Sequence, residues 1–171
     1  AAVGRYRLAF RLAALLTLGQ TAINSALAPR MARAGAGDLR SLVQWAFRWN
    51  AVIALGGGAF LAVAAPVLPG WFGAEFTTPE TVTALRILGL GTAFNALSGP
   101  VLTLMNTTGA ERRARDIVLA AAALNIALNF YAIPRFGLLG AATATTLTTV
   151  AWNVAAGLWV GRGYGIWTWY P

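Results

Sequence analysis

The chain has 171 residues, of which 58% are hydrophobic and 11% carry a charge. Soluble domains carry about a quarter charged residues, so this composition argues against a cytosolic globular protein. The chain contains no His and no Cys, which excludes His- or Cys-based metal sites, cysteine nucleophiles, Ser-His-Asp triads and disulfides.

The net charge of +8 comes from 13 basic residues, all arginine, against five acids. In a soluble protein such an excess would suggest binding to nucleic acid. Here the arginines lie between long neutral runs, which is the pattern of membrane topology. We therefore expect membrane lipids and no nucleic acid as partners.

Five stretches of the chain contain no charged residue: 12–29, 49–74, 87–110, 117–134 and 136–161. Crossing the hydrocarbon core takes about 20 helical residues, and each stretch is long enough. The apolar runs are continuous, whereas a β-barrel would need short alternating segments. A large soluble protein with buried helices would need far more chain to cover them. The sequence therefore predicts an all-α, multi-pass bundle of five transmembrane helices.

In chain order, the predicted spans are about 8–31, 50–72, 80–107, 114–133 and 137–161. Between the first two, residues 38–49 place apolar and charged side chains on different sides of a helix. We expect a short amphipathic helix lying in the membrane interface there, with Trp45 and Trp49 at the boundary. A calmodulin-type or nucleic-acid-binding helix is the alternative, but the adjacent spans disfavour it.

Proline and glycine mark the later boundaries. Pro66 and Pro69 follow the second span, Pro79 opens the third and Gly109 closes it. Pro134 closes the fourth span, and Gly137 starts the fifth after a very short link.

Four of the predicted spans carry a face of polar and small residues, which a simple lipid anchor would not need. At 100° per residue these faces are Thr17, Gln20, Thr21 and Asn24; Gly91, Thr92, Asn95, Gly99 and Asn106; Ala121, Ala122, Asn125, Asn129 and Ala132; and Thr145, Thr146, Thr149, Asn153 and Gly157. Inside a membrane, such residues either bond across helices or line a wet cavity. Both remain open, and Gln20, Asn24 and Asn95 are the cavity candidates.

Arg7 and Arg11 lie four residues apart at the outer end of the first span. An arginine in hydrocarbon is costly unless it extends to the head groups or faces water or an anion. Arg7 can extend outwards, whereas Arg11 lies one turn deeper, where its planar guanidinium suits bidentate capture of a phosphate. Phosphate binding and extension to the head groups both remain open for Arg11, which points well away from Gln20 on a straight helix.

No Asp or Glu lies inside any uncharged run. A cation- or proton-coupled pump generally needs an intramembrane carboxylate, and an enzyme would need an acid, a base or a metal ligand. We therefore expect no enzymatic activity, no metal and no cofactor.

Residues 123–129 read ALNIALN and residues 133–142 read IPRFGLLGAA. This run closely resembles the LNxxLNxxxIPxxGxxGAAxAT pattern of bacterial polysaccharide biosynthesis proteins, which are O-antigen-type oligosaccharide-lipid flippases. They belong to the multidrug/oligosaccharidyl-lipid/polysaccharide exporter superfamily. Looser matches in the same order extend the resemblance over about residues 1–160.

The resemblance implies a transporter of two six-helix lobes around a central cavity, which moves a polyprenyl-pyrophosphate-linked oligosaccharide across the bacterial cytoplasmic (inner) membrane. Residues 1–171 would be a partial C-terminal lobe, and the N-terminal lobe of the same chain would be its partner. Arg11 matches a cavity-facing arginine of related flippases. The alternatives are a multidrug or cation antiporter of the same superfamily and a non-transporting membrane partner in envelope synthesis.

Orientation follows from the arginines. Side one holds the N-terminus and the links after the second and fourth spans, and it carries five arginines. Side two holds the other links and the C-terminus, and it carries eight arginines. The positive-inside rule places side two in the cytoplasm.

Single cysteines made by Arg40→Cys or Arg112→Cys should therefore resist a membrane-impermeant thiol reagent in intact cells, whereas Glu75→Cys should react. The opposite labelling pattern would reverse the orientation.

Overall fold

A computed structural model describes residues 2–165, apart from the side chain of Ala36. Over these residues every regular element is helical, so the predicted all-α class is confirmed. The helices are α1 (Ala2–Met31), α2 (Ala36–Ala64), α3 (Pro79–Leu97), α4 (Val101–Thr107) and α5 (Glu111–Tyr164). Two short 3-10 helices, Leu68–Phe72 and Ala74–Phe76, connect α2 to α3.

The 54-residue helix α5 folds back on itself at Gly137, whose φ of 53° and ψ of −126° are not helical. The side-chain amide of Asn125 donates to the hydroxyl of Thr148 over 3.4 Å. Along a straight helix these two residues would lie about 35 Å apart. Residues 111–136 and 138–164 are therefore two antiparallel arms, and they meet where the sequence placed the link between the fourth and fifth spans.

Contacts between the helices fix their directions. The amide of Asn50 on α2 donates to the side chain of Asn24 on α1, and these two helices run antiparallel. By contrast, α1 and α3 run parallel, because Arg5 lies 3.9 Å from Glu80 at their first turns and Gln20 bonds to Asn95 further along. The second arm of α5 runs parallel to both.

The links lie at two opposite ends of the bundle, in the grouping that the sequence predicted. At the side-one end, the hydroxyls of Tyr6 and Thr145 lie 2.8 Å apart. At the side-two end, the hydroxyl of Tyr164 bonds to that of Thr108 over 2.8 Å.

The buried apolar residues form two clusters, one at each end. The side-one cluster includes Leu12, Leu85 and Leu138. The side-two cluster includes Met31 and Met105. Five amide side chains of α1, α2, α3 and α5 lie between the two clusters. They are Gln20, Asn24, Asn50, Asn95 and Asn153.

The outer surface of the bundle is apolar. Val63 and Phe130 are each 80% exposed and Trp71 is 76% exposed, with many further large apolar side chains around them. Soluble monomers rarely expose contiguous apolar surface on this scale, so the exterior supports a membrane protein.

Among residues 2–165, two helical segments are long and apolar enough to cross a membrane: Gly37–Ala64 and Glu111–Tyr164. A third span is added if α3 and α4, which are bent by 43° at their junction, are taken together. The predicted count of five is not reached by this measure. Helix α1 does not qualify, because Gln20 and Asn24 interrupt its apolar middle and arginines occupy its first turns.

Two predicted boundaries are wrong. The expected interfacial helix 38–49 is not a separate element, because α2 continues through residue 49 to Ala64. One buried stripe runs along its whole length through Val43, Asn50 and Leu61, and no proline interrupts it. The second span does not extend to residue 72, because α2 ends at Ala64, just before Pro66.

The third predicted span is also not continuous. Residues 98–100 separate α3 from α4, since Gly99 has a left-handed φ of 72° and Pro100 has no N–H to continue the helical ladder.

The close approach of the two α5 arms depends on Gly140. A Cβ at this position would collide with the backbone carbonyl of Ala132 on the other arm. We expect Gly140→Ala to lower the free energy of unfolding by about 1–3 kcal/mol, because the arms must separate. Gly163→Ala is the matched control, since nothing lies within 4 Å of its Cβ position.

Alanine is the better helix former, so the control should be neutral or slightly stabilising, within about 1 kcal/mol. Thermal unfolding of the purified chain in detergent measures both variants. Equal melting temperatures for the two would show that the arms are not packed closely at Gly140.

Candidate functional site

Three amide side chains from three parallel helices form a continuous relay at the centre of the bundle. The amide of Asn95 on α3 donates to Gln20 Oε1 on α1 over 2.8 Å. In return, Gln20 Nε2 donates to the backbone carbonyl of Asn95 over 3.1 Å. Asn153 on α5 donates to Asn95 Oδ1 over 3.0 Å. Asn95 is therefore the central member, bonded to both of its neighbouring helices.

The two outer members of the relay are buried, since Gln20 is 7% exposed and Asn153 is 1% exposed, whereas Asn95 is half-buried and faces the cleft described below. A buried amide without partners costs free energy, and more so in apolar surroundings. These three side chains satisfy one another, and Asn153 also donates to the carbonyl of Thr149 on its own helix. The relay thus fixes the alignment of α1, α3 and the second arm of α5.

An open cleft of about 170 Å³ lies beside the relay, between the same three helices. Its walls combine hydroxyl-bearing, small and aromatic side chains. They are Phe10, Ala14 and Thr17 on α1; Leu88, Gly91, Thr92 and Asn95 on α3; and Thr145, Thr146, Thr149 and Trp152 on α5. The polar faces predicted for the first, third and fifth spans therefore meet at this cleft.

The side chains that line the cleft are uncharged and offer several hydrogen-bond acceptors. The hydroxyls of Thr17, Thr92 and Thr149 each donate to a carbonyl of their own helix, and that of Thr146 donates to the carbonyl of Ile87. Each threonine oxygen retains lone pairs that can accept a hydrogen bond. The cleft therefore suits a ligand that donates hydrogen bonds, such as a compound with several hydroxyl groups.

Gly91 lets α3 and α5 meet along one wall of the cleft. A Cβ on Gly91 would lie 2.9 Å from the Thr146 hydroxyl oxygen and 3.2 Å from the Thr146 Cα atom. Small residues at such crossings are typical of helix packing in membranes.

The structure brings together only some of the predicted site residues. Gln20 and Asn95 are bonded to each other, and Asn95 also lines the cleft. Asn24 bonds instead to Asn50 on α2, over 3.4 Å. Arg7 and Arg11 are both exposed and do not line the cleft. Arg11 and Gln20 are nine residues apart, which puts them on opposite sides of α1.

Sequence analysis did not select Asn50, Trp152 or Asn153 as site residues. Asn153 carried a signal, since it belongs to the polar face of the fifth span. Asn50 is fully buried, and its Oδ1 has no hydrogen-bond partner among the described residues. The feature of the sequence that could have identified Asn50 was an amide side chain at the expected start of a membrane span.

The polar face of the fourth span serves helix packing. Asn129 donates to both the carbonyl and the side-chain oxygen of Asn125, and Asn125 reaches Thr148 across the hairpin. Of the two interpretations left open by the sequence, bonding between helices is the one that these contacts support.

Comparison with protein-family models, with curated proteins and with solved structures finds no match for this chain. The flippase family is therefore a prediction that rests on the sequence resemblance.

The relay makes a testable contribution to stability. We expect Asn95→Leu to lower the free energy of unfolding by about 1–3 kcal/mol, because Gln20 and Asn153 both lose a partner while buried. Asn106→Leu is the control, because Asn106 is exposed on α4. Thermal unfolding in detergent is the measurement.

The double variant Gln20→Leu/Asn95→Leu separates pairing from packing. Removing both partners of a buried hydrogen bond is less damaging than removing one, so its loss should be smaller than the sum of the two single losses. Strictly additive losses would show that the pair does not interact.

Proposed function

We propose that this chain belongs to a membrane transporter that moves a polyprenyl-pyrophosphate-linked oligosaccharide across the bacterial cytoplasmic membrane. The cargo would serve the synthesis of cell-surface polysaccharide such as the O-antigen of lipopolysaccharide. The observation that carries the proposal is the polar cleft, which three parallel helices form inside a bundle with an apolar exterior. A helical bundle that only anchors a protein in the membrane does not need such a cleft.

In this proposal the chain crosses the membrane five times. The crossings are α1, α2, α3 together with α4, and the two arms of α5. Three observations support this count. The chain reverses at Gly137, α1 is bonded within the bundle through Gln20, and the links lie at two opposite ends. Mean hydropathy undercounts such a bundle, because it takes α5 as one segment despite the reversal at Gly137 and omits α1, whose apolar middle is interrupted by Gln20 and Asn24.

The acceptor-rich cleft fits the hydroxyl groups of a sugar, and Phe10 and Trp152 add apolar walls. Its volume of about 170 Å³ is smaller than the usual ligand pocket of about 300–1,000 Å³. An oligosaccharide therefore cannot be enclosed by these residues alone. We propose that the cleft is one wall of a larger cavity, completed by an N-terminal lobe of the same protein, since transporters bind cargo between repeated halves.

The pyrophosphate would be held by the exposed arginines at the side-one end of α1. Neither Arg7 nor Arg11 has a hydrogen bond or an ion pair within the described part of the chain. Arg11 lies on the side of α1 opposite Gln20, so the anion and the sugar would occupy separate parts of the cavity. A guanidinium can bind two phosphate oxygens at once, which an ammonium cannot do in the same geometry.

An export assay in the complete transporter tests this role. A charge-assisted hydrogen bond contributes about 1.5–3 kcal/mol, so Arg11→Ala should reduce export by about tenfold or more at unchanged membrane abundance. Arg11→Lys should restore only part of the activity. Arg7→Ala should have a smaller effect if its guanidinium extends to the head groups.

Normal export by Arg11→Ala would remove the phosphate role and leave Arg11 as a head-group contact. Loss of membrane abundance in parallel with export would instead point to a folding defect. Arg5→Ala is the comparison at the same helix end, because Arg5 already has a partner in Glu80.

A further inference from the structure

The connection between α1 and α2, at the side-two end, contains an open groove of two adjoining compartments. The first, of about 390 Å³, is lined by Arg30, Arg33, Asp38 and Ser41 together with the apolar Ala34 and Leu42, and is called the polar compartment after its charged side chains. The second, of about 260 Å³, is mainly apolar and lies against Leu27 and Trp45. The two compartments adjoin, because Arg30, Ser41 and Leu42 line both.

The polar compartment carries an excess of positive charge. Neither Arg30 nor Arg33 forms an ion pair within residues 2–165. The Nε atom of Arg33 donates to the carbonyl of Pro29 over 3.1 Å, which steadies the guanidinium and leaves its two Nη groups for another acceptor. Asp38 is the single carboxylate at this compartment, so two guanidinium groups outweigh it.

Trp45, which lines the apolar compartment, forms an aromatic pair with Trp49. The rings of Trp45 and Trp49 lie 6.0 Å apart, and both side chains are about half exposed. Exposed tryptophans of this kind are typical of the boundary between head groups and hydrocarbon. A positive compartment and an apolar compartment therefore adjoin at the level where a lipid changes from head group to acyl chain.

We propose that this groove binds one glycerophospholipid with an anionic head group. The lipid phosphate occupies the polar compartment between Arg30 and Arg33, and the hydroxyl of Ser41 faces the glycerol. One acyl chain follows Leu42 into the apolar compartment beside Trp45. Free phosphate would use the polar compartment alone, whereas two adjoining compartments, one charged and one apolar, match a molecule with a charged head and an apolar tail. The site is independent of the proposed transport activity.

The test uses the purified chain in a neutral detergent and native mass spectrometry. Phosphatidylglycerol and phosphatidylcholine of identical acyl chains compete for the protein, and the ratio of the two bound lipids is measured. We expect phosphatidylglycerol to be retained in preference by about fivefold or more, because the anionic lipid carries a net charge that the guanidinium groups can pair with. Equal retention of the two lipids would overturn the proposal.

Two double variants separate the site from general surface charge. Arg30→Gln/Arg33→Gln should remove most of the preference and bring the ratio of the two bound lipids to within about twofold of one. Arg112→Gln/Arg113→Gln removes the same charge from exposed positions at the start of α5 and should change the preference by less than about twofold. An equal loss in both variants would show non-specific attraction rather than a site.

Two further measurements decide the outcome even if the arginine variant folds poorly. Asp38→Asn removes the opposing carboxylate and should raise the preference about twofold to threefold. Inorganic phosphate at millimolar concentration should not displace the lipid, because it gains nothing from the apolar compartment. Displacement by phosphate, or no gain from Asp38→Asn, would contradict a lipid site.

Discussion

The fold depends on one constraint: amide side chains placed among apolar helices must bond to one another. In hydrocarbon the hydrophobic effect gives helices little reason to associate, so polar contacts and small residues set their positions. Asn95 meets this constraint for three helices at once, through Gln20 and Asn153. These bonds hold α1, α3 and the second arm of α5 in register, and the cleft lies beside them.

Much of this arrangement could be predicted from the sequence because helical periodicity is a local property. The polar faces that contain Gln20, Asn95 and Thr149 were recognisable along each span, and they converge in the structure. Pro134 and Gly137 also marked the reversal in α5 correctly. In these cases a single local rule determines the outcome, and no neighbouring helix has to be known.

Pairing between helices could not be predicted in the same way. Asn24 shares a face with Gln20, yet it bonds to Asn50 on a helix that the periodicity of α1 does not specify. The break expected before residue 50 does not occur, because the buried stripe of α2 continues through that position. Arg11 lies opposite the relay, and the surface that it faces is not provided by the described residues.

The interruption at Gly99 and Pro100 has a mechanical consequence. It lies just after Asn95, between the two apolar clusters, and Pro100 removes a rung from the hydrogen-bond ladder at that point. Bending the polypeptide there breaks fewer backbone hydrogen bonds than bending anywhere within α3. The direction of Val101–Thr107 is therefore set by its packing in the side-two cluster and by the bond between Thr108 and Tyr164, not by the backbone hydrogen bonds of α3. The bundle has a joint on the side-two face of its polar layer.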